Sequence, residues 1–243
     1  MQKEINSETQ IPFSFKKQYW IIGLAIFANY FACRIAIPYL EEHTDLLIEV
    51  IYFLCVGGLV LLPMFLLSLI LSKREARTGD LAGILTRMRV KKLNSRDLKW
   101  ATGSFIFLCL ASFLIAKVLM PLVGLDATPF FFRNLPLNHQ TLFILYLWPI
   151  FFFFNIFGEE FFWRGYLQPR QEVLYGKLTY IVQGLFWALW HLPMGLGLVI
   201  ASLPIFFVLP AVVQRTGNTS VGILVHAVFG AFGFLAVALG AVH

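Results

Sequence analysis

Charge is scarce in this chain of 243 residues: Asp, Glu, Lys and Arg make up 13% of it, where an ordinary soluble domain carries about a quarter. So few charged groups cannot cover a soluble globule. The hydrophobic share of 59% and a mean hydropathy of +0.77 agree. Cysteine is sparse as well. Cys33, Cys55 and Cys109 are far apart, each in an apolar stretch, which excludes a disulfide framework and a C-x-x-C redox or zinc pair and leaves them as small buried hydrophobes. The period-2 alternation of membrane barrel strands is missing. There is no G-x-S-x-G elbow, no H-E-x-x-H zinc helix, no internal repeat and no low-complexity linker. Residues 1–15 are polar and hold Glu4 and Glu8, unlike the basic start and immediate apolar core of a signal peptide, so no cleavage is expected.

What fills the chain instead is long apolar runs, at 19–40, 46–72, 100–124, 142–157, 178–196, 198–213 and 220–242. About 20 such residues cross a ~30 Å hydrocarbon core as a helix. Backbone groups in lipid must be satisfied within the protein, so runs of this length predict an all-α, polytopic transmembrane bundle forming one integral membrane domain over residues 1–243. Seven spans are expected, or eight if Pro193, Gly195 and Gly197 mark a broken helix at 194–198 rather than a tight turn.

The isoelectric point near 9.3 does not imply nucleic acid, because nine of the 19 Lys and Arg fall in one loop, residues 73–99. Such a cluster marks a cytoplasmic loop against anionic headgroups. Its segment 81–93 mixes apolar and basic residues and suits either an interfacial helix or a solvated loop. Lys16 and Lys17, this loop, the Arg164/Arg170/Lys177 group and Arg215 share one side if the N-terminus is cytoplasmic. The loops at 41–45 and 126–140 are acidic or near neutral and fall on the other, with the C-terminus.

An ionisable group inside the bilayer costs about 2.5–3.5 kcal/mol on insertion scales, so each one needs a reason. Arg34, Glu49 and Lys117 lie near span ends or can snorkel, which suits a structural or anchoring role. Glu159, Glu160 and Arg164 in GEEFFWRGYLQPR, His191 in FWALWHLP and His226 in GILVHAVFG remain. Glu160 and Arg164 are four apart, within ion-pairing reach on a helix. Glu159 sits about 100° further round and is left pointing into the bundle. The bland alternative is that these acids and Arg164 are solvated charges at headgroup level.

A carboxylate and two imidazoles on three spans, at similar depths, suit peptide hydrolysis without a Ser or Cys nucleophile. The carboxylate takes a proton from water, one imidazole helps hold that water and the other donates to the oxyanion. The same Glu159, His191 and His226 are the composition of a catalytic zinc site, although no spacing favours metal.

Three segments, Glu159-Glu160-x-x-x-Arg164, Trp187-x-x-x-His191 and His226 with its following turn, resemble the CAAX protease and bacteriocin-processing family, also called ABI. This family of intramembrane proteases includes the type II CAAX prenyl endopeptidases. The resemblance covers about residues 142–239. It implies that Glu159 and His191 activate water, that Glu160 and Arg164 are structural or orient substrate, and that His226 serves the oxyanion. It also implies a metal-free mechanism with no cofactor and a peptide or protein substrate, prenylated or not. Two positions depart from the pattern. Trp187 stands where Phe is usual and keeps an aromatic wall, and Gly230 stands where an Asn would join His226 at the oxyanion. Asn155, Gln183 and Asn218 are the candidate substitutes. Gly230 also leaves open a non-proteolytic member of the same fold, acting as a scaffold or immunity protein. A small transporter is the third reading, since buried charges also mark ion paths.

Overall fold

The computed structural model describes residues 15–126 and 128–240, which are helical with no strand among them. The N-terminal stretch 1–14 and the last residues of the seventh expected span lie outside the described residues. Among the described residues five helices are long and apolar enough to cross a membrane: Lys17–His43, Ile48–Glu75, Ser95–Val123, Ile144–Met194 and Thr219–Ala238.

The fourth of these contains two of the expected spans. It folds back at Gly176, whose φ of 53° suits glycine. The two legs run antiparallel, since Trp187 reaches Glu159 and Gln183 donates to the Trp163 carbonyl. At the far end Gly195, with φ of 129°, turns the chain tightly, which settles the open question at 194–198 in favour of a turn. The sixth expected span is corrected. It breaks at Ser202 into Leu196–Ala201 and Leu203–Thr216, because Pro204 in the first turn of the second piece favours a helix start. Only the second piece remains as a shorter apolar helix.

Proline shapes the long helices. Each π-helical stretch, Ala32–Ala36, Phe53–Leu61, Ile115–Leu119 and Glu160–Leu167, runs into a first-turn proline of the next helical piece: Pro38, Pro63, Pro121 and Pro169 respectively. Proline has no N–H to give and its ring crowds the carbonyl four residues back. Widening the preceding turns to i→i+5 bonding lets the rod continue past that obstacle. One of these widened stretches holds Glu160 and Arg164.

The basic clusters meet on one face. Asp80 caps the helix Leu81–Arg87, so the segment 81–93 is helical in its first half. Arg87 pairs with Glu75 at 2.8 Å and Arg89 with Glu172 at 2.6 Å, while Thr219 donates its amide to the Arg89 carbonyl at 2.9 Å. Tyr19, near the start of the first helix, contacts Tyr175 at the hairpin turn. Arg170 is buried, pairs with Glu75 and lies 3.6 Å over the Tyr166 ring.

At the opposite face, residues 129–137 form a non-helical strap. Glu49 is fully buried beneath it and accepts from the Asn134 amide at 2.8 Å and the Asn134 side chain at 3.0 Å, a structural role rather than an anchoring one. Leu137 donates to the Ala238 carbonyl at 2.9 Å, and Arg133 pairs with Glu41 at 3.0 Å.

The helices carrying the site pack at close range. A Cβ on Gly158 would stand 2.7 Å from the Leu61 carbonyl oxygen, a backbone atom that cannot swing aside. Gly158→Ala is therefore expected to destabilise the protein by about 1–3 kcal/mol, seen as a lower midpoint of thermal unfolding in detergent.

Candidate active site

Glu159 and Glu160 straddle the point where the Ile144–Glu159 helix becomes π-helical, and they face different partners. Both are buried, as is Arg164, so the reading of solvated headgroup charges is overturned. Glu160 Oε1 accepts from His226 Nδ1 at 2.8 Å and lies 3.3 Å from an Arg164 terminal nitrogen. Arg164 also stacks its guanidinium 3.6 Å from the Trp187 ring centroid. The i, i+4 pair read from spacing is present, and His226 joins it as a third member. The Thr219–Ala238 helix approaches closely enough for that contact because Gly222 leaves room: a Cβ there would stand 2.5 Å from Glu160 Oε2.

Glu159 is not the free carboxylate that the sequence suggested. Its Oε1 accepts from Asn155 Nδ2 at 2.6 Å, and its Oε2 from Trp187 Nε1 at 2.6 Å. Trp187 thus supplies an N–H as well as an aromatic wall, a role for which Phe would have no donor. Asn155 is four residues before Glu159, a spacing from which the contact can be read on any helix. The sequence reading had taken Asn155 only as a stand-in oxyanion donor.

His191 bonds through Nδ1 to the Trp187 carbonyl at 2.9 Å. A carbonyl only accepts, so Nδ1 carries a proton, and Nε2 is the nitrogen left to face the cavity. His226 is fixed in the same sense by Glu160, with Nδ1–H given to the carboxylate.

These side chains line one cavity of about 320 Å³, in which Glu159, His191 and His226 meet from three separate helices. Asn155 and Ser202 also line it, Ser202 being a polar group that sequence reading missed. Gln183 and Asn218 do not. Gln183 is buried against the Trp163 carbonyl, and Asn218 caps the last helix while donating to Asp97 at 2.9 Å. Gly230 borders the cavity, and a Cβ added there would meet Phe152 at an ordinary 3.5 Å.

The cavity extends one way only. On the last helix its lining begins at His226 and continues through Phe229, Phe234 and Val237, toward the strap. Toward the basic face, Phe162, Trp163 and Arg164 are fully buried and close it off.

Among the described residues no three His, Cys, Asp or Glu side chains come together as a ligand set.

No curated protein and no solved structure matches the chain. Residues 141–232, which carry every side chain of this cluster, match the family model described as type II CAAX prenyl endopeptidase Rce1-like. Through that segment the chain is similar to the Rce1-like CAAX protease family, and its long apolar helices are those of a multi-pass membrane protein.

Proposed function

We propose that the protein is an intramembrane endopeptidase in which Glu159 activates water without a metal ion. The observation that carries this reading is the convergence of one carboxylate and two imidazoles, from three helices, on a cavity otherwise lined by apolar and aromatic groups. Water held by Glu159 and by His191 Nε2 attacks the scissile carbonyl, and its proton passes to Glu159 and then to the leaving amine. His226 donates from Nε2 to the developing oxyanion, which requires the imidazolium form. Glu160 and Arg164 then act as positioning groups, with Asn155 and Trp187 orienting the base.

The test is cleavage of candidate peptides by purified protein in lipid vesicles. His191→Ala should slow turnover on the order of 10²–10⁴-fold, as loss of a positioned acid–base group does. EDTA should leave wild-type turnover unchanged. Chelator inhibition reversed by Zn²⁺ would move Glu159, His191 and His226 back to a zinc site.

Gly230 is the one feature that favours a non-proteolytic scaffold or immunity role. On the protease reading it marks a missing donor, for which the cavity has room. Gly230→Asn is then expected to raise turnover roughly tenfold or more, given that a single oxyanion donor is worth about 10²–10³ in other proteases. A phenotype that survives Glu159→Gln in cells would instead support the scaffold.

We further propose that the basic face is cytoplasmic, following the positive-inside bias of the loop 73–99, and that the substrate is a peptide or protein, prenylated or not. No nucleic acid partner is proposed.

A further inference from the structure

We propose that the aromatic box formed by Tyr52, Phe53 and Phe151 is a subsite for a bulky apolar side chain of the substrate, and that Phe131 of the strap occupies it as an internal stand-in. The inference rests on the protease reading and adds to it a specificity and a direction of approach. Phe131 stacks on Tyr52 with ring centroids 3.6 Å apart and an interplanar angle of 5°, and it is 3% exposed. Tyr52 in turn meets Phe151 at 5.2 Å, and Phe151 stacks on Phe53 at 4.6 Å. Tyr52, Phe131 and Phe151 line the same cavity as Glu159, His191 and His226, so a side chain in the box belongs to a chain passing the carboxylate.

The strap is built to leave. Its backbone is irregular, which at membrane depth is tolerated only where the protein covers it or where it borders a wet cavity. Beside the packing of its Phe rings, it is held by a buried carboxylate. Glu49, fully buried, spends both oxygens on Asn134. Removing a carboxylate from water is costly, and an apolar residue would hold a permanent plug at lower cost. A polar latch differs in that water can replace its bonds when it opens. The strap also covers the end of the cavity away from the basic face, while the packed layer around Arg164 closes the other. The substrate therefore enters from the face opposite the basic one, as an extended segment carrying aromatic or large aliphatic side chains.

Binding can be read without turnover in the Glu159→Gln protein, held in lipid nanodiscs. The probes are two dye-labelled synthetic hexapeptides, one with a central Phe-Phe pair and one all-alanine, followed by fluorescence anisotropy. Phe131→Ala should tighten the Phe-Phe peptide by on the order of tenfold, because the competent open state is no longer taxed by the stand-in, and should leave the alanine peptide unchanged. Adding Tyr52→Ala should abolish that gain. Asn134→Ala, which loosens the latch and keeps Phe131, should shift the same peptide in the same direction by less, and it serves if Phe131→Ala does not fold. Equal shifts for both peptides, or none in either variant, would overturn the subsite. Wild-type cleavage is measured separately, so a protein that binds as expected yet cleaves nothing would sink the protease reading and leave the subsite standing.

Discussion

Glu159→Gln should lower turnover by about 10³-fold or more while leaving the fold intact, the largest loss expected from any conservative change in the cavity. Gln keeps the size of the side chain and removes the basic oxygen. A positioned general base is worth about 10²–10⁴-fold. The amide also disturbs the anchoring: Glu159 accepts from both Asn155 and Trp187, and Gln offers one accepting oxygen where the carboxylate offers two. Comparison with Trp187→Phe separates these effects. Phe keeps the ring and loses the N–H, so it should cost roughly tenfold, the scale of one hydrogen bond to a charged group. Undiminished turnover in Glu159→Gln, with the melting temperature unchanged, would remove Glu159 from the mechanism.

Arg164→Met is expected to be the most damaging substitution for stability. Methionine matches much of the length of Arg164 but strips the positive charge from a site where the Glu160 carboxylate is buried and Arg164 lies 3.3 Å from it. Breaking one side of a buried pair costs about 3–5 kcal/mol, since the surviving charge is left uncompensated. The stacking on Trp187 goes with it. The double variant Arg164→Met/Glu160→Gln should recover most of the loss, because it removes the stranded charge, and thermal unfolding of all four proteins in detergent forms the cycle. Additive losses would show that Glu160 and Arg164 do not act as a pair, and that His226 alone neutralises the acid.

The fold was legible wherever hydropathy decides it. Long apolar runs announced an all-helical membrane bundle, in which two runs form one hairpin at Gly176 and the sixth is broken at Ser202. The break was foreseeable from Pro204, and the π-helical stretches from Pro38, Pro63, Pro121 and Pro169. Each was passed over because apolar length was read without its proline punctuation. Within the site, contacts between residues four apart could be read from the chain alone, as for Glu160 with Arg164 and, had it been looked for, Asn155 with Glu159. Contacts made by tertiary approach could not. Glu49 meets Asn134 across 85 positions and Arg170 meets Glu75 across 95, and no local pattern ties them. The partner of His226 was missed for a related reason. Its contact with Glu160 depends on how closely two helices approach, and the glycine that permits this, Gly222, looks like any other small residue in a membrane helix.

The packed layer of Phe162, Trp163 and Arg164 has one further consequence, for the cell's energy economy. A hydrated cavity within a bilayer would ordinarily invite protons to leak, yet here the charges at its floor, Glu160 and Arg164, are paired with each other and buried beside the Trp187 ring. The molecule can keep water where a hydrolase needs it and still act as an electrical insulator, so vesicles loaded with it should hold a pH gradient as long as empty ones do.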